Sequence, residues 1–231
     1  MPEILSHREE EADESVIQVV ILDIDGTLMD TNYLHTEAWA RAFKEVDVLV
    51  PRVNIHRQIG KGSDQLIAEF IEDERKAEKV NALHSEFYGE LQEHSYPLPG
   101  ARRLIDELSE KRYDLWFVTS AKPEELKLHQ ERLGSEGKIS GIVNSSDVER
   151  SKPAPDIFEL ALERSGGSPA TTVSVGDAVW DVESAKAAGV RTVAVLTGGA
   201  YGSEELKEAG AVEVYEDCEA LLQSGFPEWL G

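Results

Sequence analysis

The stretch Val19–Thr31, VVILDIDGTLMDT, decides how the rest of the chain is read. Apolar, largely β-branched residues run straight into Asp23, and a second aspartate follows at Asp25. A short buried strand that ends in two carboxylates is the simplest reading. Residues two apart in a strand project to the same side, so Asp23 and Asp25 face one cavity while Ile24 faces the core. Two like charges about 4 Å apart repel by about 4 kcal/mol at an effective dielectric of about 20. Asp-Gly is also an ordinary turn signal. Directly after a buried strand, however, a positive group set between the carboxylates is the better account. Gly26 permits a sharp turn, and Thr27 adds a hydroxyl and a backbone amide.

Outward from this strand, the pattern alternates. Short β-branched runs at Leu115–Val118, Ile139–Val143, Thr172–Val175 and Thr192–Leu196 read as further strands, with the first extending over Gln18–Asp23. Amphipathic segments at Ala101–Lys111, Pro123–Leu133, Ala154–Ser165 and Asp181–Ala188 read as helices between them. This order predicts an α/β fold with a parallel sheet covered on both faces, its ligand site beyond the carboxyl ends of the strands. Between about residues 34 and 96 the alternation stops and helical periodicity takes over. His35–Val46 and Glu69–Glu93 are the main helical stretches there, and Ser63–Asp64 marks another start. The hinges fall near Met29–Tyr33 and Ser95–Gly100, where Pro97, Pro99 and Gly100 punctuate the chain. The expected division is an acidic, disordered arm over 1–15, a core of 16–32 and 97–231, and a helical cap over 33–96.

Composition bounds the function. The chain has 231 residues, 41% hydrophobic, enough for a sizeable core, and a net charge of −22 from 23 basic and 45 acidic residues. That balance argues against nucleic acid and anionic membrane as partners. It also means that any bound phosphate needs local cations and oriented amides. No apolar run is long enough to cross a bilayer, and the acidic start lacks the features of a signal peptide. A single cysteine, Cys218, fits a reducing compartment, so a cytoplasmic location is expected.

Three further motifs belong with the first. Phe117–Lys122, FVTSAK, ends a strand in Thr119 and Ser120, with the amides of Ser120 and Ala121 as donors. In Ser151–Asp156, SKPAPD, Lys152 precedes a proline-fixed helix start. Val175–Asp181, VGDAVWD, ends a strand at Gly176 and sets Asp177 and Asp181 four residues apart. Each alone has an ordinary account: a polar loop, a solvated lysine, an N-cap with a first-turn acid. Together they offer carboxylates, a lysine and hydroxyl or amide donors at one end of one sheet. Hard oxygen ligands of this kind suit Mg²⁺, which prefers phosphate partners.

DIDGT, VTS, SKP and GDAVWD stand in the order and spacing of the haloacid dehalogenase-like (HAD) superfamily, and the chain resembles it over nearly all of residues 17–222. The position of the insert resembles the helical-cap subgroup that includes phosphoglycolate phosphatase-like enzymes and β-phosphoglucomutase. The resemblance implies a three-layer, Rossmann-like parallel sheet of order 3-2-1-4-5. It implies Asp23 as nucleophile, Asp25 as general acid and base, and Mg²⁺ held by the Asp23 carboxylate, the Asp25 backbone carbonyl and Asp177. Asp181 then orients Lys152 or binds a metal-bound water. Thr119 and Lys152 hold the transferring phosphoryl group, with Ser120, Ala121 and Gly26 completing the phosphate-binding set. Haloacid dehalogenases lack the second acid, so Asp25 favours phosphoryl transfer.

Within the insert, Thr31 and His35 are similar to residues that assist proton transfer in β-phosphoglucomutase, and Arg57 resembles its grip on a second phosphate. The same stretch suits a packing helix, with His35, Ala38 and Trp39 on one face. Phosphonoacetaldehyde hydrolase resembles this architecture and uses a cap lysine as a Schiff base, but the loop of Lys61, GKGSD, is polar, and Lys61 reads as a solvated or phosphate-attracting lysine. His56 and Lys122 read as surface residues. The expected function is a Mg²⁺-dependent phosphatase for a small phosphorylated metabolite, monomeric or weakly dimeric. A β-phosphoglucomutase-type transfer is the alternative, and a non-catalytic phosphate- or protein-binding module is the alternative of another class.

Overall fold

The computed structural model describes residues 16–230, so the arm expected over 1–15 lies outside the described residues. Six parallel strands form one sheet in the order β3-β2-β1-β4-β5-β6. They are β1 (Val19–Leu22), β2 (Asp114–Thr119), β3 (Gly141–Asn144), β4 (Thr172–Gly176), β5 (Arg191–Val195) and β6 (Glu213–Tyr215). The expected order 3-2-1-4-5 is present, and β6 extends it at one edge. The sequence reading missed this strand because it has three residues and a half-exposed face.

β1 lies in the middle, where its period-2 alternation serves two cores. Val20 and Leu22 join one apolar cluster, with Leu104, Ile105 and Leu108 of α5 (Ala101–Glu110) and Leu126 of α6 (Pro123–Leu133). Val19 and Ile21 join the other, with Ile157 and Phe158 of α7 (Asp156–Ser165) and Ala185 of α8 (Val179–Ala187). Helices α9 (Ser203–Ala209) and α10 (Cys218–Gln223) complete the layers. Each buried side chain of this kind contributes about 1.5–3 kcal/mol, so the strand's place in the sheet is strongly set.

Between β1 and α5 the chain builds a separate helical unit: α1 (Asn32–Lys44), α2 (Arg52–His56), α3 (Ser63–Ala68) and α4 (Glu74–Leu91). It has its own apolar cluster, with Trp39, Phe43, Ile55, Leu66 and Val80 buried together. α4 starts at Glu74, five residues later than the periodicity predicts, because the Asp73 carboxylate accepts from the Lys76 amide at 3.0 Å and caps the helix there. α2 follows Pro51 and was not expected. The two hinge segments pair with each other. The Asp30 amide donates to the Tyr96 carbonyl at 2.8 Å, and the Leu98 amide donates to the Leu28 carbonyl at 2.9 Å. The insert therefore leaves and returns through one narrow seam beside the end of β1.

Candidate active site

β1, β2 and β4 are neighbours in register, with Leu22 opposite Phe117 on one side and Val175 on the other. The residues just past their carboxyl ends therefore meet. The Asp23 amide continues the ladder, donating to the Val175 carbonyl at 3.0 Å. Asp23 Oδ1 then accepts from Lys152 Nζ at 2.8 Å. The same ammonium donates to Asp181 Oδ1 at 2.8 Å and to the Val118 carbonyl at 3.1 Å. Lys152 is fully buried, and all three of its protons are committed. Burial works against its charge, but Asp181 and Asp23 outweigh this and raise its pKa.

Asp25 points from the same turn to a different partner. Its Oδ1 accepts from Thr31 Oγ1 at 2.6 Å and lies 3.3 Å from His35 Nε2. Burial opposes ionisation of Asp25, yet His35 and the Thr31 hydroxyl prevail and hold the carboxyl well below its ordinary value. His35 is shifted the other way: burial would lower its pKa, and Asp25 raises it. The two aspartates that opened the problem thus have separate counter-charges, Lys152 for one and His35 for the other.

Asp23, Asp177 and Asp181 each offer an oxygen within 4.8 Å of the others. Burial, with the neighbouring carboxylates adding to it, raises the pKa of Asp177 well above the usual range. Burial likewise raises that of Asp23 against the pull of Lys152. One lysine does not offset this much negative charge, and the donor set is all hard oxygen, which fits a divalent cation such as Mg²⁺. Asp181 carries the heavier load of donors, with Lys152 on its Oδ1 and the amides of Asp177 and Ala178 on its Oδ2 at 3.2 and 3.0 Å. The Asp23 and Asp177 carboxylates are the available pair. The Asp25 carboxylate lies outside the cluster and turns to Thr31 and His35. Space at Asp177 is kept open by two glycines: a Cβ on Gly198 would lie 1.7 Å from Asp177 Oδ2, and one on Gly26 2.5 Å from it.

Above these groups, the helical insert roofs a cavity of about 60 Å³ lined by Asp23, Asp25, His35, Lys61, Ser120 and Lys122, among others. Several expected residues behave differently from their reading. Thr119 is fully buried; its Oγ1 accepts from the Ala121 amide at 3.0 Å and sits 3.5 Å from Asp25 Oδ2. The Ala121 amide is therefore occupied, and the Ser120 hydroxyl donates to the Gly60 carbonyl at 3.0 Å. Arg57 does not line the cavity: it pairs with Glu205 at 2.6 Å and donates to the Ala200 carbonyl at 3.1 Å, at the outer seam of insert and sheet domain.

Lys61 is not solvated. Its side chain is 7% exposed, pairs with Glu69 at 2.7 Å and lies over the Trp180 ring at 4.1 Å. His56 is buried and Lys122 half-buried. His56 Nε2 lies 2.8 Å from the Gly198 carbonyl, and Lys122 Nζ donates to Asn81 Oδ1 and Ser85 Oγ at 3.3 and 2.5 Å. Sequence reasoning passed over His84 and Glu125, which also line the cavity. The signal available for His84 was its spacing four residues before Tyr88, matching His35 and Trp39 on α1.

A parallel sheet with paired carboxylates past its central strand, a buried lysine bridging the first of them to Asp181, and a helical unit above them defines a hydrolase class. Residues 20–195 match the family described as haloacid dehalogenase-like hydrolase, and the chain belongs to that family. It is similar to a phosphorylated carbohydrates phosphatase of Thermotoga maritima, 29% identical over 210 residues that cover 89% of this chain and 97% of the relative. A phosphoglycolate phosphatase of Pseudomonas putida is 27% identical, covering 89% and 78%. The crystal structure of a hydrolase from Pseudomonas syringae superposes with a TM-score of 0.84 at 31% identity, over 90% of this chain and 97% of that one.

Proposed function

We propose that this protein is a divalent-cation-dependent phosphoric monoester hydrolase that acts on a small phosphorylated metabolite through an aspartyl-phosphate. One observation carries the reading: the Asp23 carboxylate stands between Lys152 and the Asp177–Asp181 cluster, with Asp25 beside it, beneath a cavity under the helical insert. Asp23 attacks phosphorus in line, and the bond from phosphorus to the leaving oxygen breaks. Asp25 and His35 share the proton that the leaving oxygen takes. Asp25 then accepts a proton from the water that attacks the aspartyl-phosphate, which frees phosphate and restores Asp23. Lys152, held by Asp181, fixes the Asp23 carboxylate for the attack. The Asp23 and Asp177 carboxylates, with the Asp25 backbone carbonyl, would hold Mg²⁺, which would supply positive charge to offset that of the phosphoryl group.

Residues 33–96 act as a cap over this site. The phosphatase names among the relatives support the hydrolytic reading, and the carbohydrate-phosphate relative makes sugar phosphates the first substrates to try. Arg57 pairs with Glu205 outside the cavity, so in this arrangement it offers no grip on a second phosphate of the kind a mutase would use. The test is a phosphate-release screen over sugar phosphates, phosphoglycolate and nucleotides, with and without Mg²⁺. Release that requires Mg²⁺ is expected, and Asp23→Asn is expected to lower it by about 10³-fold or more with the fold intact. Near-normal release by Asp23→Asn, free of deamidated product, removes Asp23 from the nucleophile role. Conversion of β-glucose 1-phosphate to glucose 6-phosphate without free phosphate overturns hydrolysis.

A further inference from the structure

We infer that Asn32 is a positioning residue that sets Asp177 for the cation and ties the seat of the helical insert to that site. The inference rests on the metal reading above. Asn32 is the first residue of α1 and is 3% exposed. Its Nδ2 donates to Asp177 Oδ2 at 3.1 Å and to the Gly198 carbonyl at 3.3 Å. Both neighbours are acceptors only, so the amide must present its NH₂ to them and turn its oxygen away. That oxygen, Oδ1, is buried and has no hydrogen-bond partner. An unpaired buried acceptor costs about 1–3 kcal/mol.

The rest of the geometry shows that this contact is built in. Thr27 Oγ1 donates to Asp177 Oδ1 at 2.9 Å, so the core loop orients one carboxylate oxygen and the insert orients the other. The approach of Asn32 requires glycine on both sides. A Cβ on Gly26 would lie 2.2 Å from Asn32 Nδ2, and one on Gly198 2.9 Å from it. Outer hydrogen bonds of this type orient ligand carboxylates, and their removal costs about 10–100-fold in metal affinity. Asn32 and His35 stand three apart on α1 and share a face. One helical turn thus touches Asp177 through Asn32 and Asp25 through His35. Coupling between two sites is reciprocal, so a cation at Asp177 steadies α1, and a displaced α1 weakens the cation.

The experiment titrates Mg²⁺ alone into the full chain, wild type and Asn32→Ala, by calorimetry. Hydrogen exchange over residues 33–44 is followed with and without the ion. Expected are a Kd about 10–100-fold weaker in Asn32→Ala, and a Mg²⁺-dependent slowing of exchange across α1 that the variant loses. Melting in EDTA checks that the variant is folded. If it is not, Asn32→Ser, which keeps a hydroxyl too short to reach Asp177, takes its place. A folded variant with wild-type Mg²⁺ affinity overturns the inference, as does α1 protection that survives the substitution. Absence of Mg²⁺ binding by the wild type overturns the metal reading and this inference with it, and the wild-type titration tells the two failures apart.

Discussion

Lys152 shows how one residue governs this site. Its ammonium spans Asp23 and Asp181, and no fraction of the side chain meets solvent. Removing one partner of a buried ion pair is strongly destabilising because the remaining charge has neither water nor counter-ion. Lys152→Met should therefore lower stability by about 3–5 kcal/mol in EDTA, read by urea unfolding, and Mg²⁺ should restore part of the loss. An unchanged unfolding midpoint in EDTA would show that the pair carries no such weight. Lys152 was legible in the sequence because a proline-fixed helix start follows it. That it bridges Asp23 and Asp181 was not, since these partners lie 129 and 29 residues away.

At the scale of elements, the seam of α1 and α4 holds the roof of the cavity. His35 stacks on Tyr88 with centroids 3.8 Å apart and planes 7° from parallel, and Trp39 stacks on His84 at 3.7 Å and 11°. Each pair uses residues four apart on its helix, which lie one above the other on one face. Burial between these rings, with His35 and Lys122 nearby, lowers the His84 pKa well below its ordinary value and keeps the ring neutral. His84 Nε2 lies 3.2 Å from His35 Nδ1, so the stack also orients the partner of Asp25. Trp39→Ala should cost about 3–5 kcal/mol in unfolding experiments. A loss under about 1 kcal/mol would mean that the insert draws its stability from the Phe43–Phe70 side of its core instead. The helical character of this region was plain from periodicity. The break between α3 and α4 was not, because it depends on the side chain of Asp73 choosing to cap.

In the whole molecule, the cavity of about 60 Å³ is smaller than the roughly 300–1,000 Å³ of small-molecule pockets, so the proposed function requires the insert to move when a metabolite enters. The clasp that resists opening includes Arg57–Glu205, whose partners are each 44% exposed. Exposed pairs of this kind contribute only about 0.2–1 kcal/mol, which suits the contact that the proposed opening would break. The acid cluster sets the dependence on pH. Asp23 and Asp177 have folded-state pKa values raised above the ordinary 3.8, so the folded chain binds protons that the unfolded chain has released. Without divalent cation, stability should therefore fall as pH rises from about 5 to about 8. Melting in EDTA should show wild type losing more than Asp177→Asn across that window, and saturating Mg²⁺ should flatten the difference. Parallel curves for the two proteins in EDTA would contradict the assignment.

The chain's own order of residues determined the parallel sheet, the place of Asp23 and Asp25 past its central strand, the four loops that serve them and the presence of a helical insert. These features rest on strand alternation, helical period and turn residues, all of which act within a few residues of one another. Tertiary structure alone decided that Asn32 reaches Asp177, that His84 backs His35, that Lys61, His56 and Lys122 are drawn inside, and that Arg57 turns outward to Glu205. Those outcomes depend on how helices from one part of the chain seat against loops from another. No local period encodes the angle and depth of that seating.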